Sequence, residues 1–173
     1  MSIQFKLTGA LYREIMRDLE RPHRFAAERV GFVSGRMGSL SAGGKLVLVT
    51  RYHCIPDDCY IDDPDVGARV NSEAITRAMH AVYHGRSLRE GIFHVHLHQH
   101  HGEPVPSKTD WREIPKIMPG FQAVGRQAAH GMILLSADHA VAWVWLPGGE
   151  PTISDSISVI GIPIRVFERK ALQ

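Results

Sequence analysis

Cysteine is scarce in this chain, and that scarcity excludes one class of protein. Only 2 of the 173 residues are cysteine, too few for the disulfide framework of a small secreted domain. Cys54 and Cys59 lie close together in the sequence, and in a reducing compartment they are expected to be free thiols. Half of a zinc site is the alternative interpretation, but no second Cys or His pair stands at a spacing that completes it.

Long apolar runs and charge of one sign are also missing. Lys6, Arg13 and Glu14 interrupt the first residues before an apolar run forms, so we expect no signal peptide and no membrane span, and we expect a cytosolic protein. The 20 Lys and Arg are scattered among 18 Asp and Glu, without the basic stripe that a nucleic-acid backbone selects. Neither a membrane nor a nucleic acid is therefore expected as a partner.

The sequence does contain the pattern of one folded domain over residues 1–173. A hydrophobic fraction of 44% over this length is enough for a core, and no linker or repeat divides it. Helical spacing of apolar residues predicts an amphipathic helix over 8–22. Asn71 as a cap and Gly85 as a stop predict another over 71–84, and the capping pair Ser107 and Asp110 predicts a short helix over 107–117.

Strand patterns alternate with these helices. Strands are predicted at 28–37, 45–52, 91–98, 132–136, 140–146 and 157–167. The first two are joined by a glycine-rich turn as a hairpin, and Pro163 interrupts the last. The predicted fold class is α/β in the broad α+β sense, with a mixed, mostly antiparallel sheet flanked by helices.

Histidine is concentrated in one predicted strand, which contains three overlapping His-x-His pairs between His94 and His100. Side chains two apart on a strand share a face, so His94 and His96 can hold one metal ion. A catalytic zinc takes three protein nitrogen or oxygen ligands and leaves one position for water. Asp110 is the candidate for the third ligand. Taken alone, the histidines are equally typical of a polar, partly exposed strand.

Two further blocks accompany the histidines. Glu28 begins the only Glu-x-x-Gly of the chain, and Ser107 begins the only Ser-x-x-Asp. Each alone is explained by a solvated strand start or a helix cap. Together the blocks resemble the pattern of the JAMM (JAB1/MPN/Mov34) metalloproteases, and the run of elements is similar to the MPN fold. The blocks that carry the resemblance are Glu28-x-x-Gly31-x-x-x-Gly35, Gly91-x-aromatic-His94-x-His96 and Ser107-x-x-Asp110.

The resemblance implies a single MPN-type domain with a zinc site. His94, His96 and Asp110 are expected to hold Zn²⁺, Glu28 to transfer protons to and from the attacking water, and Ser107 to donate to the oxyanion. Leucine stands after His96 where the family usually has proline, and the loop to Ser107 is longer than is usual in the family. These departures leave His96 with His98 open as the ligand pair.

A short domain of this kind resembles the prokaryotic JAB-domain, deubiquitinase-like members. They cleave after the C-terminal glycine of a ubiquitin-like protein, to remove it from targets or to trim its precursor, and some accompany activating and conjugating enzymes in antiphage operons. The alternatives are a processing protease for a small sulfur-carrier protein, a non-catalytic MPN scaffold, and a histidine-rich carrier of zinc, nickel or copper. The tail of a ubiquitin-like substrate is expected along a strand edge, bordered by loop 99–106.

Overall fold

A computed structural model describes residues 1–22, 24, 27–41, 43–63 and 66–169; the last four residues of the predicted domain, 170–173, lie outside the described residues. The helices are α1 (Gly9–Leu19), α2 (Ser72–Gly85) and α3 (Lys108–Val124). The strands are β1 (Ile3–Thr8), β2 (Val30–Ser39), β3 (Lys45–Cys54), β4 (Glu90–Leu97), β5 (His130–Leu135), β6 (Ala140–Trp145), β7 (Pro151–Ile153), β8 (Ser156–Ile160) and β9 (Arg165–Glu168).

All nine strands belong to one sheet, in the order β7-β6-β5-β4-β2-β3-β1-β8-β9. Three neighbouring pairs are parallel, namely β1 with β3, β1 with β8 and β4 with β5. The other five neighbouring pairs are antiparallel. The predicted mixed and mostly antiparallel sheet with flanking helices is therefore confirmed, as is the hairpin of β2 and β3.

The two faces of the sheet bury different sets of side chains. On one face α1 packs with Tyr12, Ile15 and Leu19 against a core that includes Phe93 and Val95 of β4. On the other face α2 and α3 cover a second core, to which β4 contributes Ile92. Because side chains alternate along a strand, the even-numbered residues of β4 face α2 and α3. This alternation decides where the histidines of β4 point.

The helices begin within one residue of their predicted starts, but they do not all end where the sequence predicts. Asn71 caps α2 by accepting a hydrogen bond from the Ala74 amide, as predicted. By contrast, α3 continues past the predicted end at 117, through Pro115 and Pro119, to Val124. The helix continues because it buries Met118 and Phe121 against the sheet, which offsets the hydrogen bonds that the prolines cannot donate.

Three local features complete the fold. Strands β1 and β7 have no counterpart among the predicted strands, whereas the predicted 157–167 strand forms as two strands, β8 and β9, on either side of Pro163. Cys54 is exposed and Cys59 is buried, and both are free thiols as predicted. No helix in the described ranges combines the length and the apolar character needed to cross a bilayer.

Candidate metal centre

His94 and His96 of β4, together with His98 just after the strand, lie in a row on the face covered by α2 and α3. The ring centroids of His94 and His96 are 5.1 Å apart, and those of His96 and His98 are 4.9 Å apart. This row follows directly from the period of two along an extended strand. Sequence spacing alone therefore does not distinguish His94 with His96 from His96 with His98 as a metal-binding pair.

Asp110 reaches this row from the first turn of α3, where a capping box fixes it. The Ser107 amide donates to Asp110 Oδ2 at 2.7 Å, and the Asp110 amide donates to Ser107 Oγ at 3.1 Å. The other carboxylate oxygen, Oδ1, lies 3.3 Å from His96 Nε2. The capping residues predicted from the sequence thus hold one face of the carboxylate and leave the other turned toward the histidines.

His98 completes a compact group of donor atoms. Its Nε2 lies 3.0 Å from His96 Nε2 and 3.8 Å from Asp110 Oδ2. One donor atom from each of His96, His98 and Asp110 lies within 4.8 Å of the others. The ligand atoms of a tetrahedral zinc with bonds of about 2.0–2.1 Å are about 3.3 Å apart, so this set fits a zinc ion.

Two ring nitrogens in this row of histidines are buried without a hydrogen bond to any residue that the structure describes. Nδ1 of His94 and Nδ1 of His96 are buried, and neither has a hydrogen-bond partner among the described residues. Buried polar atoms are nearly always satisfied by protein, water or an ion. The two nitrogens are therefore atoms at which a bound water molecule or another ligand is expected.

His94 lies outside the compact donor group, and this changes the preferred ligand set. Burial and the neighbouring His96 lower the pKa of His94 to about 3, so its ring is neutral, and its edge packs against Phe32 at a centroid distance of 5.6 Å. Among the described residues, the donors that come together are those of His96, His98 and Asp110. Of the two pairs that the sequence leaves open, this grouping favours His96 with His98 over His94 with His96.

Asp110 is held in its ionised form. Burial by itself raises the pKa of this carboxyl, but the hydrogen bond and the charge interaction with His96, together with the hydrogen bonds from Ser107, hold the pKa well below its usual range. A carboxylate that stays ionised is the form that binds a metal cation. The capping box therefore orients Asp110 and also favours the charge that a metal requires.

Glu28 lies just before β2, beside the same group. Two residues later, Val30 pairs with His96 across β2 and β4, so the start of β2 runs past the histidines. Burial raises the pKa of Glu28, with a further rise from Asp110 and an opposing effect from His96. A carboxyl whose pKa is raised in this way is suited to accept and return a proton near neutral pH.

Two contacts with distant segments hold the chain around Glu28. Its amide donates to the Gly67 carbonyl at 2.8 Å, and a Cβ placed on Gly67 would lie 2.8 Å from Glu28 Cδ. Next to it, the buried guanidinium of Arg29 donates to the carbonyls of Arg21 and Pro22 and to Asp57. No signal in a single sequence points to Gly67, because its contact with Glu28 exists only in the folded chain.

A cleft of about 760 Å³ opens over the centre. All five residues singled out from the sequence line it, namely Glu28, His94, His96, Ser107 and Asp110. Val30, Phe32 and Ile114 supply apolar lining, while the segment 66–70 and the first turns of α3 form its sides. Charged side chains outside the centre also line the cleft, namely Asp63, Arg69, Arg112, Glu113 and Lys116, so it combines an apolar patch with many polar groups.

The loop 99–106 does not border this cleft, contrary to the expectation from the sequence. No described residue of 99–106 lines the cleft. Instead the Gly102 amide donates to Asp138 Oδ1 at 2.7 Å, and the Ser136 hydroxyl donates to the Gly102 carbonyl at 2.7 Å. These bonds tie the loop to the turn between β5 and β6. The long loop is therefore anchored to this turn and does not form a wall of the cleft.

Ser107 can be tested for two separable roles. Ser107→Ala removes both the cap of α3 and the hydroxyl. Ser107→Gly also removes the hydroxyl, but glycine is a better cap than alanine, so the free energy of unfolding falls by only a few tenths of a kcal/mol. If the hydroxyl stabilises an oxyanion, we expect both variants to lose about 100-fold to 1,000-fold in kcat. Thermal unfolding and peptide-release kinetics on both variants measure this. A loss confined to Ser107→Ala, in step with its lower stability, would leave Ser107 only the capping role.

Comparisons with known proteins add little to this geometry. No protein-family model matches the chain, and no curated protein matches it. Among solved structures, the N-terminal domain of STIL from Trichoplax adhaerens aligns with 80% of this chain and 40% of that chain, at 11% identity and a TM-score of 0.29. A likeness this weak carries no argument about fold or function.

Proposed function

We propose that this chain is a zinc-dependent peptidase of the JAMM type, with an MPN-type fold, that cleaves after the C-terminal glycine of a ubiquitin-like protein. The observation that supports the proposal is the meeting of Glu28, His96, Ser107 and Asp110 at one cleft, with His98 beside His96 and Asp110. These residues come from three separate blocks of the sequence, so their convergence is not a consequence of local spacing. The cytosolic location expected from the sequence is part of the same proposal.

The protein residues divide the chemistry among them. His96, His98 and Asp110 hold the zinc ion, which when bound supplies a Lewis acid and lowers the pKa of a water molecule. Glu28 takes the proton from the attacking water and returns it to the leaving amine, which its partly buried position and raised pKa favour. The Ser107 oxygen already accepts from the Asp110 amide, so its hydroxyl hydrogen remains available to donate to the oxyanion.

The substrate in this proposal is a ubiquitin-like protein on its target or as a precursor. Operon-encoded activating and conjugating enzymes are the partners that such a substrate requires. The apolar floor of the cleft, with Val30, Phe32 and Ile114, suits an extended tail that carries small and apolar side chains.

The proposal is tested with ubiquitin-like proteins fused through their terminal glycine to a reporter. We expect release of the reporter, loss of release when zinc is removed with a chelator, and recovery when zinc is returned. The panel should include a small sulfur-carrier protein, so that processing of that class is measured alongside conjugate removal. Release that persists after complete removal of metal would refute the metal mechanism.

The choice between His98 and His94 is a second, independent prediction. We expect His98→Ala to weaken zinc binding at least about 100-fold, because it removes one of three donors, and His94→Ala to keep one zinc per chain. Zinc content by mass spectrometry and competition with a zinc-sensitive dye measure both variants. The reverse outcome, with zinc lost in His94→Ala and retained in His98→Ala, would restore the ligand pair first preferred from the sequence.

A further inference from the structure

A second groove lies on the opposite face of the sheet from the cleft. It has a volume of about 570 Å³ and runs between α1 and the hairpin of β8 and β9. Helix α1 packs on the face whose core includes Phe93 and Val95, whereas the cleft lies on the face covered by α2 and α3. The groove is therefore separate from the candidate metal centre.

Arginine dominates this groove. The lining includes Arg13 and Arg17 of α1, Arg21 just after that helix and Arg165 of β9, with Glu20 as the one acidic side chain among the lining residues. These charges look scattered in the sequence, but positions four apart fall on one side of a helix. The helical period places Arg13 and Arg17 on one side of α1, with Arg21 just beyond the helix. The packing of β9 then brings the distant Arg165 beside them.

Most of this positive charge is not neutralised within the described chain. Arg21 pairs with Asp18 at 2.7 Å. Within the described ranges, no carboxylate lies within 4.0 Å of the guanidinium groups of Arg13, Arg17 or Arg165. Arg165 is held in place over the Tyr12 ring, with its guanidinium carbon 5.9 Å from the ring centroid. Three guanidinium groups without a carboxylate partner in the described ranges, of which that of Arg165 also contacts the Tyr12 side chain, favour an anionic occupant of the groove.

Apolar side chains stand next to these charges. Ile162 and Pro163 line the groove from the β8–β9 hairpin, and Ile162 is fully exposed, at 102%. Ile164, in the same hairpin, is 64% exposed. Large aliphatic side chains this exposed and this close together indicate a surface that is covered in a complex. The occupant therefore has to offer apolar groups as well as negative charge.

The spacing of the arginines indicates the form of that occupant. Four residues along a helix correspond to a rise of about 6 Å, the separation of Arg13 from Arg17. Alternate side chains of an extended peptide are about 6.6 Å apart, so carboxylates at every second position can meet successive arginines. From Gly9 to Arg17 the groove spans about 12 Å along the helix, which is the length of about four extended residues.

We propose that this groove binds an extended segment of a partner protein in which Asp or Glu alternates with apolar residues. Its carboxylates pair with Arg13, Arg17 and Arg165, and its apolar side chains cover Ile162 and Pro163. The concave shape between α1 and the hairpin favours a peptide over a flat bilayer. The site is a docking surface and takes no part in the chemistry at the cleft.

The test uses the whole chain and a fluorescent pool of degenerate heptapeptides with Asp or Glu at alternate positions and Leu, Ile, Val or Phe between. We expect binding by fluorescence anisotropy that weakens with added salt. Arg13→Gln and Arg17→Gln each weaken binding about threefold to fivefold, and the double variant weakens it about tenfold or more. Arg126→Gln, which removes the same charge at an exposed residue outside the groove, serves as the matched control and leaves binding within about twofold.

Three results would overturn this inference. The first is equal binding of a control pool with Gln and Asn in place of the acidic residues, and the second is acidic-pool binding that the arginine variants do not change. The third is the absence of binding to either pool together with binding to vesicles of phosphatidylserine and phosphatidylcholine, which would assign the surface to a membrane. Circular dichroism spectra of all variants establish that the fold is intact.

Discussion

Replacing Glu28 with glutamine is expected to slow cleavage by about 100-fold to 10,000-fold while leaving zinc bound. Glutamine keeps the shape of the side chain but cannot take the proton of the attacking water. Glu28 is not among the donors that lie together at the centre, which are those of His96, His98 and Asp110, so the metal content should not change. Reporter-release kinetics and zinc analysis on the same preparation measure the two effects separately.

Gly67→Ala gives a second measurement on the same carboxylate. The added Cβ would lie 2.8 Å from both Cδ and Oε2 of Glu28, so the carboxylate has to move without being removed. We expect kcat to fall while KM and zinc content stay near their wild-type values. A Glu28→Gln protein that cleaves at the wild-type rate contradicts the proton-transfer role, and Gly67→Ala then has no reason to be slow.

Gly91→Ala is expected to have the largest effect on stability. A Cβ on Gly91 would lie 1.6 Å from the carbonyl oxygen of Ala129, which is backbone and cannot turn aside as a side chain can. Overpacking costs about 1–3 kcal/mol where side chains can adjust, and we expect a cost at or above the top of that range. The corresponding fall in Tm is about 6–12 °C or more for a chain of this length.

Gly38→Ala is the matched control, since Gly38 lies in β2 of the same sheet and a Cβ there would meet nothing within 4 Å. We expect its Tm to stay within about 2 °C of wild type. Thermal unfolding followed by circular dichroism compares the two variants directly. If Gly91→Ala unfolds at the same temperature as Gly38→Ala, the close approach of β4 to Ala129 does not constrain the fold.

Much of the fold could be predicted from local patterns. The caps Asn71 and Ser107, the hairpin of β2 and β3 and the histidine strand all rest on spacing within a few residues, and all are present in the structure. Strands β1 and β7 were missed: β1 pairs in parallel with distant β3 and β8, and β7 has only three residues. Such strands are stabilised by long-range pairing more than by their own sequence.

The length of α3 shows how packing outweighs a local signal. Proline inside a helix costs about 3 kcal/mol or more, which favours an end near Pro115. The helix continues because Met118 and Phe121 are buried against the sheet and α2, and burial of large apolar side chains stabilises the fold. The sequence shows the prolines that destabilise the helix, but it does not show which side chains of the helix the fold buries.

By itself, the sequence determined which residues can take part in the candidate centre. The period of two along β4 places His94, His96 and His98 on one face, and the capping box fixes Asp110 relative to Ser107. Both relations are local, so they survive in any fold that keeps the strand and the helix.

Only the tertiary structure decided which residues meet. The position of α3 on the sheet brings Asp110 to His96 and His98 and leaves His94 against Phe32. The placement of Gly67 under Glu28 and of four arginines around one groove depends in the same way on distant segments packing together. Spacing along the chain specifies a face of a strand, but a distance between elements is set by the packing of the whole core.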